Sequence, residues 1–244
     1  MNKNKFWLRP NWPAPETIQA ACTLRTGGVS VAPYNSLNPA LHVGDHVDSV
    51  RQNRQIIGDM LHLPGEPKWL AQIHSGRVVD AASVDGQEEA DASFTDQAGI
   101  VCAVMTADCL PMLVGSCDGQ KIAAVHAGWR GLLAGIISNT IAAMQTNDVL
   151  VWLGPAISPD CFEVGVEVRD AFVAKSDLSA PAFTPIANGK CFADIYQLAR
   201  VELAGLGITR VYGGNFCTVT EQERFFSYRR DQVTGRMATL IWRT

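Results

Sequence analysis

Apolar positions along this chain change period from one stretch to the next. Residues 99–106 form a continuous apolar run rich in β-branched side chains, which predicts a buried strand. Residues 121–126 and 149–153 predict two more strands, the second ending at Gly154-Pro155. The first breaks at Gly128, after which Trp129, Leu132, Leu133, Ile136, Ile137 and Ile141 fall on one helical face. An earlier helix carries Val50, Ile57, Met60 and Leu61, with Asp48 or Ser49 as its cap and Pro64 as its stop. A later one is capped by Asp194, carries Ile195, Leu198 and Leu203, and ends near Gly205 or Gly207. Residues 69–73 and 77–80 read as strands flanking a His74-Ser75-Gly76 turn, and residues 211–212 and 216–219 read as extended. Residues 225–228 and 237–242 predict a terminal hairpin around Arg229-Arg230-Asp231-Gln232-Val233-Thr234-Gly235. The first 46 residues, rich in Gly, Pro and Asn, contain two stretches with the look of ordered loops, Thr26-Gly27-Gly28-Val29-Ser30 and Pro33-Tyr34-Asn35-Ser36-Leu37-Asn38-Pro39. Strands and helices mix without a clean βαβ period. The pattern therefore predicts an α+β fold with mixed sheets rather than a doubly wound parallel sheet.

Composition narrows the partners. With 244 residues, 47% of them hydrophobic, the chain can bury a sizeable core. No repeat, low-complexity tract or linker divides it, so residues 1–244 read as one domain. A net charge of −4 without a long basic run leaves no electrostatic footprint for a nucleic acid. No apolar run approaches the length of a membrane span, and residues 1–12 are polar and basic, unlike a signal peptide. Seven cysteines are scattered without Cys-x-x-Cys spacing, which predicts reduced thiols and a cytoplasmic protein. No heptad specifies an oligomer.

Three short motifs carry the candidate chemistry: Gln72-Ile73-His74, Ala107-Asp108-Cys109-Leu110-Pro111 and His126-Ala127-Gly128-Trp129-Arg130-Gly131. Each places one metal-binding side chain at the edge of an apolar run, beside a Gly, Asp or Pro that shapes a turn. One thiolate and two imidazoles suit zinc, and three protein ligands leave a fourth position for water or substrate. The same Cys109 and His126 also suit a nucleophile–base pair without metal. Asp108 is placed to orient a water or take a proton. Gly128 and Arg130, where strand gives way to helix, offer backbone N–H groups and a forked donor to an anion, and Arg25 and the Arg229-Arg230 pair offer more guanidinium. His42-Val43-Gly44-Asp45-His46 reads as an exposed loop. There is no His-Glu-x-x-His, no cytidine-deaminase zinc motif, no P-loop, no Gly-x-Gly-x-x-Gly and no Gly-x-Ser-x-Gly.

These residues resemble the YfiH family, whose members have been called laccase-domain or polyphenol oxidase proteins and purine nucleoside phosphorylases. The resemblance covers nearly the whole chain. It runs from Arg25-Thr26-Gly27-Gly28-Val29-Ser30 and His42-Val43-Gly44-Asp45 through the three motifs above. It continues with Trp152-Leu153-Gly154-Pro155, Phe162-Glu163-Val164-Gly165, Phe226-Ser227-Tyr228-Arg229-Arg230 and Thr234-Gly235-Arg236-Met237-Ala238. It implies a zinc site on His74, Cys109 and His126, and one layered α/β/β/α domain similar to the catalytic domain of a bacterial necrotizing toxin. It implies phosphorolysis of adenosine, inosine, guanosine and methylthioadenosine, with deamination of adenosine, so the expected partners are a small-molecule nucleoside and phosphate. One bacterial branch is described instead as an amidase that removes mis-incorporated serine from a muramyl nucleotide precursor. For the nucleoside reaction, Arg130 and the helix start are candidates for phosphate, and Asp108 or Glu163 for protons. Zinc lowers the pKa of a bound water toward about 7, which suits attack at the purine C6. A laccase needs a blue-copper site plus a trinuclear cluster with many more imidazoles than the five histidines here. Laccase chemistry in its usual sense is therefore excluded, with copper left as a substitute metal at the zinc site, where it would support weak oxidation. A zinc-stabilised binding module without activity is the non-enzymatic alternative.

Overall fold

The computed structural model describes residues 6–244; the first five residues of the polar 1–12 stretch lie outside it. Two mixed sheets pack face to face. The first is five-stranded, in the order β1 (Trp7–Leu8), β2 (Ile18–Thr23), β14 (Met237–Arg243), β6 (Val101–Thr106), β3 (Lys68–Trp69), with only the β3–β6 pair parallel. The second is six-stranded, in the order β13 (Val211–Gly213), β9 (Val149–Leu153), β7 (Leu110–Ser116), β8 (Ile122–Ala127), β5 (Ala92–Thr95), β4 (Val78–Asp80), with parallel pairs at its two edges. A small antiparallel sheet of β10 (Glu163–Gly165), β12 (Lys190–Ala193) and β11 (Phe183–Ile186) stands apart.

Strand alternation sorts the side chains into layers. Cys102 and Val104 of β6 meet Leu113, Ile122 and Ala124 between the two sheets, with Met237 and Ile241 of β14. Ala103, Leu240 and Trp242, on the opposite face of the first sheet, pack under α1 (Val47–Leu61) through Ile57 and Leu61. Met112, Val125 and Val151, on the outer face of the second sheet, pack under α3 (Ile136–Met144) and α5 (Ile195–Gly205). The result is the layered α/β/β/α arrangement with mixed sheets that the sequence pattern and the resemblance led us to expect. Three shorter helices complete it: α2 (Trp129–Leu133), α4 (Val166–Lys175) and α6 (Tyr228–Asp231).

Several elements differ from the pattern reading. The helix after Gly128 is two helices, because Gly135 adopts φ +78° and breaks the axis between α2 and α3. α1 starts at Val47 with no side-chain cap, so neither Asp48 nor Ser49 caps it; His62 in the left-handed region closes it before Pro64. The strand expected over 69–73 stops at Trp69, because the Gln72 side chain bonds the Met105 backbone at both N (2.7 Å) and O (2.8 Å) in place of a ladder. Residues 216–219 form no strand: Thr218 N donates to Ala156 O at 3.0 Å, and Phe216 O accepts from the Tyr196 hydroxyl at 3.1 Å. The terminal hairpin is absent. Residues 225–227 are irregular, Ser227 caps α6 by accepting from Arg230 N, and β14 pairs with β2 and β6 instead. All seven residues of β14 are buried, which a two-stranded hairpin at the surface would not allow.

Candidate metal centre

His74, Cys109 and His126 come together at one end of the sheet sandwich. Their ligand atoms all lie within 4.8 Å of one another, with Cys109 Sγ 3.8 Å from His74 Nε2. Each arrives on a different device. His126 sits in β8, opposite Pro111 of β7, so the ladder fixes its backbone. Cys109 follows Asp108, whose φ of +99° turns the chain sharply between β6 and β7. His74 occupies a turn at φ +60° between β3 and β4. Gly128 makes the approach possible, since a Cβ there would stand 3.1 Å from Cys109 Sγ and 3.3 Å from His74 Cδ2.

One residue that pattern reading passed over organises the cluster. Asp91 is fully buried just before β5, and its Oδ1 lies 2.7 Å from His126 Nδ1. The same carboxylate accepts from the backbone N–H of His74 (3.0 Å) and Ser75 (2.5 Å) and from the Ser75 hydroxyl (2.8 Å). It thus orients one imidazole and clamps the turn that carries the other. With Nδ1–H assigned toward Asp91, the Nε2 lone pair of His126 is left for a metal, which is the usual carboxylate–histidine–metal relay. The only sequence signal was an Asp at the mouth of an apolar strand, Ala90-Asp91-Ala92.

The electrostatics match. Burial pushes the Asp91 carboxyl up, but hydrogen bonds from His126 and Ser75 outweigh it and hold it at about 2. Burial alone would raise the Cys109 thiol and lower the His126 imidazole. Their mutual attraction, with help from His74 and Asp91, reverses both, so Cys109 is shifted toward thiolate and His126 toward imidazolium. A metal ion would displace the His126 Nε2 proton, and the anionic sulfur with two imidazoles, all within 4.8 Å of one another, would then suit zinc or copper.

The cluster forms the common wall of two cavities, both lined by His74, Ala107, Cys109 and Tyr228. One, of about 310 Å³, has an apolar floor of Trp129, Ile157, Phe162 and Ile195, with Arg130 and Arg229 at its edge. The other, of about 240 Å³, is lined also by His42, Thr106, Gln72, Met105 and Arg236.

The remaining candidates are dispersed. Asp108 lines the larger cavity, but its two oxygens accept from the Thr218 hydroxyl and the Arg229 backbone N–H, each at 2.6 Å. That carboxylate is a fastener between the β6–β7 turn and the 218–229 segment. The Glu163 carboxylate is held at the surface by Lys190 at 2.5 Å, and it is not among the residues lining either cavity. Arg25 belongs to a separate cleft, donating to the carbonyls of Asn35 and Gln222 and standing over the Phe226 ring. Arg230 is occupied by the carbonyls of Thr218, Val219 and Phe225 and by Asp231. Arg229 donates to the carbonyls of Cys161 and Glu163. Arg130 is exposed and stacks on Trp129, 4.2 Å from the ring centroid. The helix that begins after Gly128 has only five residues, too short for an effective dipole, so the expected anion seat at its start loses its basis.

Residues 19–244 match the family described as multi-copper polyphenol oxidoreductase laccase. A Shigella flexneri protein named purine nucleoside phosphorylase YfiH is 49% identical over 237 residues, covering 96% of this chain and 97% of that one. A Pseudomonas aeruginosa protein named purine nucleoside phosphorylase PA4543 is 48% identical over 239 residues, covering 97% and 98%. Among solved structures, Neisseria meningitidis protein NMB0706 superposes with a TM-score of 0.95 at 50% identity, covering 98% of this chain and 99% of that one. YlmD from Geobacillus stearothermophilus gives a TM-score of 0.91 at 30% identity, covering 100% and 98%.

Proposed function

The chain belongs to the YfiH family, the group described as multi-copper polyphenol oxidoreductase laccases, and from that membership we propose that it is a zinc-dependent purine nucleoside phosphorylase that also deaminates adenosine. The observation that carries the reading is the convergence of His74, Cys109 and His126 on open cavities, in a chain whose relatives at 48–49% identity bear the phosphorylase name. The substrates are adenosine, inosine, guanosine and methylthioadenosine. His74, Cys109 and His126 hold the zinc, which supplies Lewis-acid charge when bound. Asp91 fixes the tautomer of His126 and the position of His74. The apolar floor of the larger cavity receives the purine, whose flat faces suit Trp129 and Phe162. Asp108 and Arg229 keep the wall between the cavities in place.

The test is direct. Zinc-loaded protein is incubated with adenosine, with and without phosphate, and the products are separated by chromatography. Adenine is expected only with phosphate, and inosine in both samples. Untouched adenosine with zinc in place sinks the nucleoside reading and favours the muramyl-peptide amidase, which would use the same centre. A metal-free hydrolase is the second reading, favoured by the thiolate character that His126 lends Cys109. It requires turnover that survives complete chelation.

A further inference from the structure

We propose that inorganic phosphate binds in the smaller cavity, between Arg236, Thr106 and His42, across the metal cluster from Arg130. This rests on the phosphorylase reading and assigns its second substrate a seat.

Arg236 is a half-buried guanidinium with no carboxylate partner. It donates from Nη1 to the carbonyls of Thr234 and Gly235, both at 3.0 Å, and among the described residues it makes no ion pair. Burial pulls its pKa down, and the charges that oppose this are those of Cys109 and Asp108, beside the cluster. A cation taken partly out of water without a paired anion is costly unless a ligand supplies one. Its Nε and Nη2 remain for a forked contact of the kind phosphate oxygens accept.

Thr106 is a second, independent sign. It is 2% exposed, lines the same cavity, and its hydroxyl has no hydrogen-bond partner. Buried hydroxyls are rarely left unbonded, and a phosphate oxygen would satisfy this one. The β14–β6 ladder explains why the two groups are neighbours: Met237 pairs with Thr106, which puts Arg236 and Ala107 at the same end of the sheet, next to Cys109.

The one anionic group on the wall of this cavity is the Cys109 sulfur, whose charge a bound zinc would offset. No acidic residue lines this cavity or the adjoining one of about 390 Å³, with which it shares His42, Gln72 and Met105. Arg54, stacked over Trp69 at 4.5 Å, adds a second guanidinium to that end of the cleft. His42 is exposed at the mouth of the cavity; partial desolvation, with Arg236 and Arg54 nearby, lowers its pKa, so it meets the ligand as a neutral ring able to donate one hydrogen bond. By contrast Arg130 is exposed at a rim, where an arginine is content in water.

The test pairs kinetics with direct binding on the zinc-loaded protein. The phosphate KM for adenine formation is measured for the wild type, Arg236→Gln, Arg236→Lys and Thr106→Val. Arg236→Gln is expected to raise it at least tenfold, and Thr106→Val at least threefold. Arg236→Lys, which keeps charge but loses the fork, is expected to fall between wild type and Arg236→Gln. A phosphate KM within twofold of wild type in both Arg236→Gln and Thr106→Val overturns the seat. If Arg236→Gln does not fold, Arg236→Lys and Thr106→Val decide by the same criterion, with thermal midpoints as the check. Broadening of the inorganic phosphate ³¹P resonance separates this proposal from the reading beneath it. Should the wild type turn over no nucleoside yet broaden the line, and the variants lose that broadening, the anion seat stands while the phosphorylase reading falls. Broadening that the variants keep, or its absence in the wild type, overturns the seat.

Discussion

Asp91 shows how much a single side chain can govern. Its replacement by Asn keeps the shape but removes the charge that His126 leans on. Loss of such a partner typically weakens metal binding about 10- to 100-fold, so Asp91→Asn is expected to lose zinc to a competing chelator in that range, as read by chelator titration. Its pH behaviour is equally specific. The folded carboxyl sits at about 2 against an ordinary 3.8, so its contribution to stability is complete above about pH 4 and is lost as the pH falls toward 2. A thermal midpoint that falls across that window in the wild type should fall less in Asp91→Asn. Gly128 gives a prediction of the opposite, steric kind. Ala there would press on Cys109 Sγ and His74 Cδ2, and overpacking of this sort costs about 1–3 kcal/mol. Gly128→Ala should therefore bind zinc more weakly than wild type in the same titration while α2 stays folded by circular dichroism. At this scale the three candidate ligands were legible, because each is a chemically distinctive residue at a turn. Asp91 was not, because its role lies in His74, Ser75 and His126, all distant in sequence, and an Asp before a strand has many ordinary uses.

Elements were legible where their own period determines them. β6, β8, β9 and α5 fall within two residues of expectation, and Asp194 caps α5 through Gln197 N at 2.9 Å. The pattern failed where a tertiary partner decides. Residues 237–242 read as one arm of a hairpin because an apolar strand next to a Gly-containing turn usually is one. In the molecule that strand is the middle of a sheet, with ladders on both edges. Removing residues 237–244 should therefore abolish the fold rather than trim it, leaving no cooperative unfolding transition by circular dichroism. A truncated chain that still melts cooperatively would refute the central place of β14.

At the scale of the whole molecule, the cluster lies at the edge of a two-sheet core that is packed without it. The apolar layers in the sandwich and under α1, α3 and α5 involve neither His74 nor Cys109. Chelation should consequently remove activity while a cooperative melt persists, with the midpoint lowered by several degrees at most on differential scanning calorimetry. Unfolding on chelation would mark the metal as structural and favour a binding module over an enzyme. No helix of the described residues is long and apolar enough to cross a membrane. The layered architecture was legible from mixed periodicity and from the resemblance. The division of labour between the two cavities was not, because it depends on which arginines find backbone carbonyls and which are left over. The position of β14 also bears on how the protein is made. Its neighbours, β2 and β6, emerge from the ribosome long before residues 237–243 do, so the first sheet stays open along two strand edges until late in synthesis. Such edges invite pairing with other nascent chains, and the second sheet, whose strands all lie between residues 78 and 213, is the natural place for folding to begin.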